Sequence, residues 1–362
     1  MTRLTRPTTR TIVAIGAGVA VFALGALAIP QPPRLSTDVT GDAALAASVA
    51  DLATATNATR NTLSIAVIEN GRVTHAGLGA DADTEFEIGS ITKTFTAALL
   101  ADAIERGEVE AQTPLGDLLD LGDSAAAGLT LEQLSTHHSG LPRLPIDTDV
   151  LVQTLISQYR GTDPYQWGVD ELVAQARAAT LTEPAVFEYS NFGVALLGQA
   201  LAAAADTDYA TLVNDRILEP LVLDDTSVPV DADALADGAP TGFAANGRAS
   251  AAWTLRANAP AGGIRSTATD MATYAQALLD GTAPGADALE PRIEAGGLGE
   301  IGLAWFAIES EGSTITWHNG MTGGFASFIG LDRENDRAVV VLSSTAVEVD
   351  QLGFALLAGD NK

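Results

Sequence analysis

A serine and a lysine three residues apart, in the tetrad Ser90-Ile91-Thr92-Lys93, can together form a nucleophile and its base. A serine hydroxyl is a weak nucleophile until a neighbouring group takes its proton. A lysine amine becomes such a base when burial lowers its pKa, whereas an arginine keeps its charge in a protein. The chain has 17 arginines and two lysines, Lys93 and Lys362. The retention of Lys93 indicates a need for a deprotonable amine, although a coding bias against lysine explains the same count.

Two further short motifs carry side chains suited to proton transfer and hydrogen bonding. Tyr189-Ser190-Asn191 stands just ahead of a helical run, and His318-Asn319-Gly320 follows a strand-like run over residues 315–317. A serine followed three residues later by a lysine is weak evidence by itself, because such a pattern often arises by chance. The three motifs together make a stronger case for covalent catalysis at Ser90.

The helix that must position Ser90 and Lys93 is predicted from an apolar repeat. Apolar residues recur at four-residue spacing over residues 95–103, and Gly107 follows as a C-cap. If Ser90 opens this helix, both side chains project to the same face and the hydroxyl lies at the positive end of the helix dipole. Further helices are predicted over residues 192–205, 270–279 and 347–357.

Strand patterns occupy the two ends of the folded body. Residues 63–68 and 72–78 are joined through Asn70-Gly71, a strong signal for a β-hairpin. A second group of strands is predicted near the C-terminus, over residues 301–308, 313–317, 325–331 and 338–342. Because two such groups can share one antiparallel sheet, we expect a mostly helical insertion, roughly residues 108–260, between its two halves.

In order and spacing, the three motifs resemble those of the serine β-lactamase and penicillin-binding-protein superfamily. The resemblance is strongest to class C and D-alanyl-D-alanine carboxypeptidase-like serine hydrolases, which carry S-x-x-K, Y-x-N and K/H-x-G. Residues 86–90, 134–142 and 261–267 also look like signatures of this family, so the resemblance extends from about residue 63 to the C-terminus. It implies an α+β fold of the β-lactamase/transpeptidase type, with an antiparallel sheet flanked by helices and a mostly helical inserted domain.

The resemblance also implies a role for each residue of the first two motifs. Ser90 would be the acylated nucleophile, and Lys93 and Tyr189 would shuttle its proton. An unperturbed phenol titrates near pH ~10, so we expect a lysine ammonium beside Tyr189 to favour the phenolate. Asn191 would hydrogen-bond to the substrate and to Lys93.

The third motif would complete the site. The backbone N–H groups of Ser90 and Met321 would form an oxyanion hole, which is worth about 3 kcal/mol per donor. Gly320 would let its strand approach the substrate closely. His318 would contact the substrate.

His318 bears on the class of substrate. Class C β-lactamases usually carry a lysine at this position, whereas a histidine is mostly neutral near pH 7. Neither arginine nor lysine occurs between Arg292 and Arg333, so this strand region supplies no cation for a substrate carboxylate. The pattern disfavours an efficient β-lactamase and, less strongly, a carboxypeptidase, and it is compatible with esters, amides or D-amino-acid conjugates. Arg265 or Arg143 could still supply a charge from elsewhere.

Two other classes of protein remain as alternatives. An α/β-hydrolase needs G-x-S-x-G after a strand, and the nearest segment, Gly122-Asp123-Ser124, is followed by Ala126 where the last glycine belongs. A non-catalytic cell-envelope binding protein on the same scaffold is the second alternative. The presence of a matched nucleophile and base argues against it.

Composition excludes several partners and cofactors. The 362 residues include 46 acidic and 19 basic side chains, a net charge of −27, which repels nucleic acids and anionic membrane surfaces. The chain has no cysteine, so it has no disulfide and no thiolate ligand. Neither an H-E-x-x-H motif nor a phosphate-binding glycine loop occurs, so we expect no metal and no nucleotide cofactor. His75, His137 and His138 are assigned structural roles.

The N-terminus has the pattern of an export signal. Arg3, Arg6 and Arg10 precede an uncharged apolar run over residues 12–29. We expect residues 1–29 to be a signal peptide or a membrane anchor, residues 30–42 a linker, and residues 43–362 the hydrolase domain. The sequence therefore predicts an exported serine hydrolase, secreted or membrane-anchored, that acts on a small or peptidoglycan-derived substrate.

Overall fold

The structure is a computed structural model that describes residues 32–56, 58–145, 148–182, 186–236, 238–310 and 312–359. The predicted export segment, residues 1–29, lies outside the described residues. Within the described ranges, every helix is too short or too polar to cross a bilayer.

A nine-stranded sheet of strands from both ends of the chain forms the centre of the fold. Its strands are β1 (Val39–Gly41), β2 (Leu63–Glu69), β3 (Arg72–Leu78), β8 (Ile293–Glu294), β9 (Glu300–Ile301), β10 (Phe306–Ser310), β11 (Ser313–Met321), β12 (Ala326–Asp332) and β13 (Arg337–Ser343). The order is β1-β3-β2-β13-β12-β11-β10-β9-β8, and all neighbours are antiparallel. The two halves meet where β2 pairs with β13, as predicted.

The central strands are buried on both faces, and successive side chains contribute to two different cores. In β13, Val339 and Val341 pack in one hydrophobic cluster, whereas Val340 and Leu342 pack in the other. This alternation follows from the period of two along a strand. Helices α1 (Ala43–Ala55) and α10 (Asp350–Ala358) cover the first face, and α2 (Thr92–Glu105) and α9 (Ala268–Leu279) cover the second.

The insertion lies between two short paired strands, β4 (Phe86–Glu87) and β7 (Arg265–Ser266). It is mostly helical, as predicted, but β5 (Gly242–Ala244) and β6 (Ala249–Ser250) also form within it and join β14 (Thr345–Ala346) in a small sheet. Its helices are α3 (Leu131–Ser135), α4 (Thr148–Arg160), α5 (Val169–Ala178), α6 (Asn191–Ala204), α7 (Tyr209–Val213) and α8 (Glu219–Leu221).

Several predicted boundaries differ from the structure. The strand predicted over residues 313–317 extends to Met321, so His318-Asn319-Gly320 lies within it instead of following it. The linker predicted over residues 30–42 contains β1, which pairs with β3 as an edge strand. The strand predicted over residues 301–308 is divided into β9 and β10, because Ala304 between them has a positive φ of 61°. The last helix begins at Asp350 instead of residue 347, since residues 345–346 pair with β5.

Candidate active site

Ser90 lies in a single 3₁₀ turn, Gly89–Ile91, and α2 begins directly after it at Thr92. Gly89 has a φ of 51°, and a Cβ atom at this position would lie 2.7 Å from the backbone nitrogen of Met321. Both features require glycine. The turn that carries the nucleophile is therefore in direct backbone contact with the end of β11.

Gly320, on β11, is the second glycine in the contact between β11 and the segment of Ser90. A Cβ atom on Gly320 would overlap the carbonyl oxygen of Ile88, and the hydroxyl of Ser327 donates to that oxygen at 2.7 Å. The close approach of a substrate to Gly320, expected from the sequence, stays a prediction. The structure adds that Gly320 packs β11 against the segment just before Ser90.

The backbone N–H groups proposed for the oxyanion hole come from these two packed segments. The Met321 side chain is exposed, at 43% of its maximum, so its contribution to the site would come from its backbone. The glycines on either side of the contact keep the segments of Ser90 and Met321 together.

Lys93 is fully buried beside Ser90. Its Nζ atom donates to the Oγ atom of Ser90 at 3.0 Å and to the backbone oxygen of Ala261 at 2.5 Å. Burial, and secondarily the charge of Arg143, lowers the pKa of Lys93 well below its usual value of 10.5. A larger fraction of the amine is therefore neutral near pH 7, and a neutral amine at this distance can accept the serine proton.

Tyr189 is the third member of this cluster and is partly buried. Its hydroxyl is hydrogen-bonded to Ser90, and its ring centroid lies 5.0 Å from the Nζ atom of Lys93. Burial raises the pKa of Tyr189 to about 12, against the opposing effects of Ser90 and Arg143. The expectation that a phenolate is favoured is therefore wrong, because desolvation outweighs the neighbouring charges. Tyr189 is therefore protonated near pH 7.

Asn191 begins α6, and Ser190 caps this helix by accepting a hydrogen bond from the backbone N–H of Gly193 at 2.9 Å. The hydrogen bond predicted between Asn191 and Lys93 is absent, since the buried Oδ1 atom of Asn191 has no partner among the described residues. The amide oxygen is thus free to accept a hydrogen bond from a substrate. The Asn191 side chain is also hydrogen-bonded to Tyr165, a buried residue that the sequence analysis did not identify.

His318 lies on β11 and is fully buried. Its Nδ1 atom lies 2.6 Å from the carbonyl oxygen of Asn319 and therefore carries the proton. Burial and the charge of Lys93 lower the pKa of His318 to about 3. The imidazole is neutral near pH 7, in agreement with the expectation that this position provides no cation.

His137 supports Tyr189 directly. The two ring centroids lie 4.4 Å apart, and the Nδ1 atom of His137 accepts a hydrogen bond from the backbone N–H of Ser190 at 3.3 Å. His138 hydrogen-bonds through Nδ1 to the carbonyl of Thr136 at 2.7 Å. These contacts agree with the structural roles assigned to the two residues.

Of the two arginines that the sequence left open, only Arg143 lies in the active-site cleft. Arg265 is 1% exposed and bound to two carboxylates, with its Nε atom 2.6 Å from Glu85 and its Nη1 atom 2.9 Å from Glu87. Arg143 is exposed, and its Cζ atom lies 5.2 Å from the Tyr189 ring centroid. Arg265 is therefore a structural residue, and Arg143 is the one placed to meet a substrate.

The cleft above Ser90 has a volume of about 360 Å³. Its described walls include Ser90, Arg143, Tyr165, Asn191, Asn258 and Met321. Ser124, the serine considered for a different catalytic triad, does not line this cleft. Its buried Oγ atom has no hydrogen-bond partner among the described residues, which removes the support for that alternative.

The fold and this arrangement of serine, lysine and tyrosine define a serine hydrolase of the β-lactamase type. The model of the family described as Beta-lactamase matches residues 49–358, and the chain belongs to this family. The class C β-lactamase from Rhodobacter sphaeroides is 25% identical in sequence, with a TM-score of 0.73 over 87% of this chain and 97% of that chain. The octameric penicillin-binding protein homologue from Pyrococcus abyssi shares the fold, at 21% identity and a TM-score of 0.71 over 87% of this chain and 76% of the other.

Curated relatives match over a shorter region. Beta-lactamase-like protein 2 of Dictyostelium discoideum is 30% identical over 210 residues, which is 53% of this chain and 35% of that protein. The β-lactamase of Escherichia coli is 28% identical over 203 residues, or 54% of this chain and 48% of that enzyme. The chain thus matches less than half the length of these two relatives.

Proposed function

We propose that this protein is an exported serine hydrolase that forms an acyl-enzyme at Ser90 on an ester, an amide or a D-amino-acid-containing substrate. The observation that carries the proposal is the 3.0 Å hydrogen bond between the Nζ atom of Lys93 and the Oγ atom of Ser90. A buried amine with a lowered pKa can take the proton of the serine hydroxyl and so activate it.

Acylation follows from the positions of three side chains. Neutral Lys93 takes the hydroxyl proton while Oγ of Ser90 forms a bond to the substrate carbonyl carbon. The carbonyl oxygen gains the electron pair, and the backbone N–H groups of Ser90 and Met321 stabilise it. Tyr189 then gives its proton to the leaving alcohol or amine as the bond to it breaks, and Lys93 returns a proton to Tyr189.

Deacylation repeats these steps with water. A water molecule loses a proton to the same base and attacks the acyl carbon, and the bond to Oγ breaks. Oγ regains a proton, the free acid leaves, and the starting protonation states return.

Esters are expected to acylate Ser90 faster than amides, because an alkoxide leaves more readily than an amide anion.

The neutral imidazole of His318 favours this general hydrolase over an efficient β-lactamase. A D-alanyl-D-alanine carboxypeptidase or a weak β-lactamase is the second candidate, supported by the similarity to class C enzymes and penicillin-binding protein homologues. A non-catalytic cell-envelope binding protein is the third.

A fluorophosphonate probe tests the proposed nucleophile, because it forms a stable phosphonate ester with an activated serine as fluoride leaves. We expect labelling of Ser90 in the wild-type protein and in the Ser124→Ala control, and none in Ser90→Ala. Labelling that persists in folded Ser90→Ala would contradict the proposal, as would a wild-type protein that takes no label and hydrolyses no ester.

Export is a separate part of the proposal. It is supported by three arginines followed by an apolar run over residues 12–29. Mass spectrometry of the protein after expression of the full chain in a bacterium, with separation of cytoplasm, membrane and medium, tests it. We expect the hydrolase domain outside the cytoplasm, either cleaved near residue 28 or still attached to the membrane. Intact protein in the cytoplasmic fraction would contradict export.

A further inference from the structure

The charge of the cleft is opposite to that of the whole protein. The chain carries 46 acidic and 19 basic side chains. The described residues that line the cleft include two arginines, Arg143 and Arg248, and no aspartate or glutamate. On a protein of net charge −27, a wall with cations and no carboxylates would attract an anionic group locally.

Other cations near the cleft are less suited to bind such a group. Lys93 is fully buried, and its pKa is lowered by burial. His318 is neutral near pH 7. Arg248 donates a hydrogen bond from Nη1 to the backbone oxygen of Tyr159, so part of its guanidinium is already engaged.

Arg143 differs from these groups. Its guanidinium is exposed, lies against the ring of Tyr189, and has no carboxylate partner among the described residues. Its donors can therefore form a bidentate pair with a carboxylate.

The backbone of Arg143 is fixed although its side chain is exposed. Its carbonyl oxygen accepts hydrogen bonds from the backbone N–H groups of Asn191 and Phe192, at 3.1 and 3.2 Å. Ser190 donates a hydrogen bond to the carbonyl of the preceding Pro142 at 2.8 Å. The loop is thus attached to the start of α6, the same segment that carries Tyr189 and Asn191.

The cleft is also lined by a buried polar side chain, that of Asn258. Asn258 lines the cleft with no exposed surface, and neither its Nδ2 nor its Oδ1 atom has a partner among the described residues. A buried amide without partners is costly, and a polar ligand would satisfy it.

We propose that Arg143 is the specificity-determining residue of this active site and that it binds a carboxylate of the substrate, while Asn258 faces the polar part of the same molecule. This inference rests on the proposed function. It revises the expectation that this site offers no cation to a substrate carboxylate, since Arg143 supplies one from the loop after α3. A hydrogen bond to a charged group gives an anionic substrate an advantage of about 10- to 100-fold in kcat/KM over a neutral one.

Three esters test this inference. Phenyl acetate is neutral, phenyl hydrogen succinate has a carboxylate on the acyl group, and 3-acetoxybenzoate has one on the leaving group. We expect the wild-type protein to prefer at least one anionic ester over phenyl acetate by about 10-fold or more. Arg143→Gln should abolish this preference, and Arg143→Lys should keep part of it. Arg177→Gln, which removes a charge outside the cleft, should leave the ratio unchanged.

A binding measurement separates failure of this inference from failure of the proposed function. In the Ser90→Ala background, succinate monoanilide is titrated while the fluorescence of Trp253, which lines the cleft, is followed. We expect Arg143→Gln to weaken the binding of succinate monoanilide about 10-fold or more. The binding of acetanilide, which has no carboxylate, should be unaffected. If no ester is hydrolysed but binding depends on Arg143, the proposed function fails and the anion site stands. No anionic preference in the wild type, or one that Arg143→Gln leaves intact, overturns the inference.

Discussion

The Nζ atom of Lys93 is held between the Oγ atom of Ser90, at 3.0 Å, and the backbone oxygen of Ala261, at 2.5 Å. These two contacts fix the amine beside the nucleophile without an acidic partner. Because no carboxylate among the described residues stabilises its charged form, burial is the main influence on the protonation state of Lys93.

Replacement of Lys93 by arginine would put a permanent positive charge in place of an amine that can be neutral, and would so remove the base. We expect Lys93→Arg to lower kcat/KM for 4-nitrophenyl acetate by about 10²- to 10⁴-fold, the usual contribution of a positioned base. Steady-state kinetics measure the loss, and circular dichroism with thermal melting shows whether the variant is folded. A folded variant with nearly wild-type activity would exclude Lys93 as the base.

Tyr189 has a pKa raised to about 12, so it holds a proton that it can give to the leaving group. Tyr189→Phe keeps the ring beside His137 and removes only the hydroxyl. We expect kcat to fall by about 10²-fold or more, with a larger effect on esters whose alcohol is a poor leaving group. A series of phenyl esters with increasing leaving-group pKa measures this dependence. Equal losses across the series would contradict the role of proton donor.

The pH profile should follow Lys93 and not His318. Activity requires the neutral amine, so kcat/KM rises as the pH increases through the lowered pKa of Lys93. His318, with a pKa of about 3, stays neutral throughout the ordinary working range. We therefore expect His318→Asn to leave the midpoint of the rise unchanged between about pH 5 and 9, whatever its effect on the maximum rate. Loss or displacement of that midpoint in His318→Asn would assign the titration to the histidine.

Gly320 is required by the contact between β11 and Ile88. A methyl group there would overlap the Ile88 carbonyl oxygen, so Gly320→Ala should destabilise the fold by about 1–3 kcal/mol and reduce acylation. Gly297 is the matched control, since a Cβ atom there would have nothing within 4 Å, and Gly297→Ala should change stability by less than about 0.5 kcal/mol. Urea unfolding measures both. Equal stability of the two variants would show that the contact is looser than described.

Local sequence patterns were sufficient to predict the helix after Ser90, the Asn70-Gly71 hairpin and the sheet shared by both chain ends, and to identify the three motifs. These features depend on residues close in sequence or on the resemblance to a family. The roles of Arg143 and Arg265 could not be assigned in that way, because they depend on which arginine meets Glu85 and Glu87 in three dimensions.

The pKa of Tyr189 was mispredicted, and the packing contact of Gly320 was not predicted, for a related reason. A sequence shows that a lysine is near a tyrosine, but the extent of burial decides whether the phenol or the phenolate is favoured. Likewise, the close neighbour of Gly320 is Ile88, which is distant in the chain. Both features depend on long-range packing that the motifs do not encode.

The most direct test of the central claim, an acyl-enzyme at Ser90, is stopped-flow release of 4-nitrophenol from 4-nitrophenyl acetate by the protein beginning after Pro33. The wild-type protein should release close to one equivalent of 4-nitrophenol per active site in a rapid burst before slower steady turnover, with deacylation as the slow step. Ser90→Ala should show no burst, and Ser124→Ala should match the wild type. A burst of equal size in folded Ser90→Ala would contradict the account.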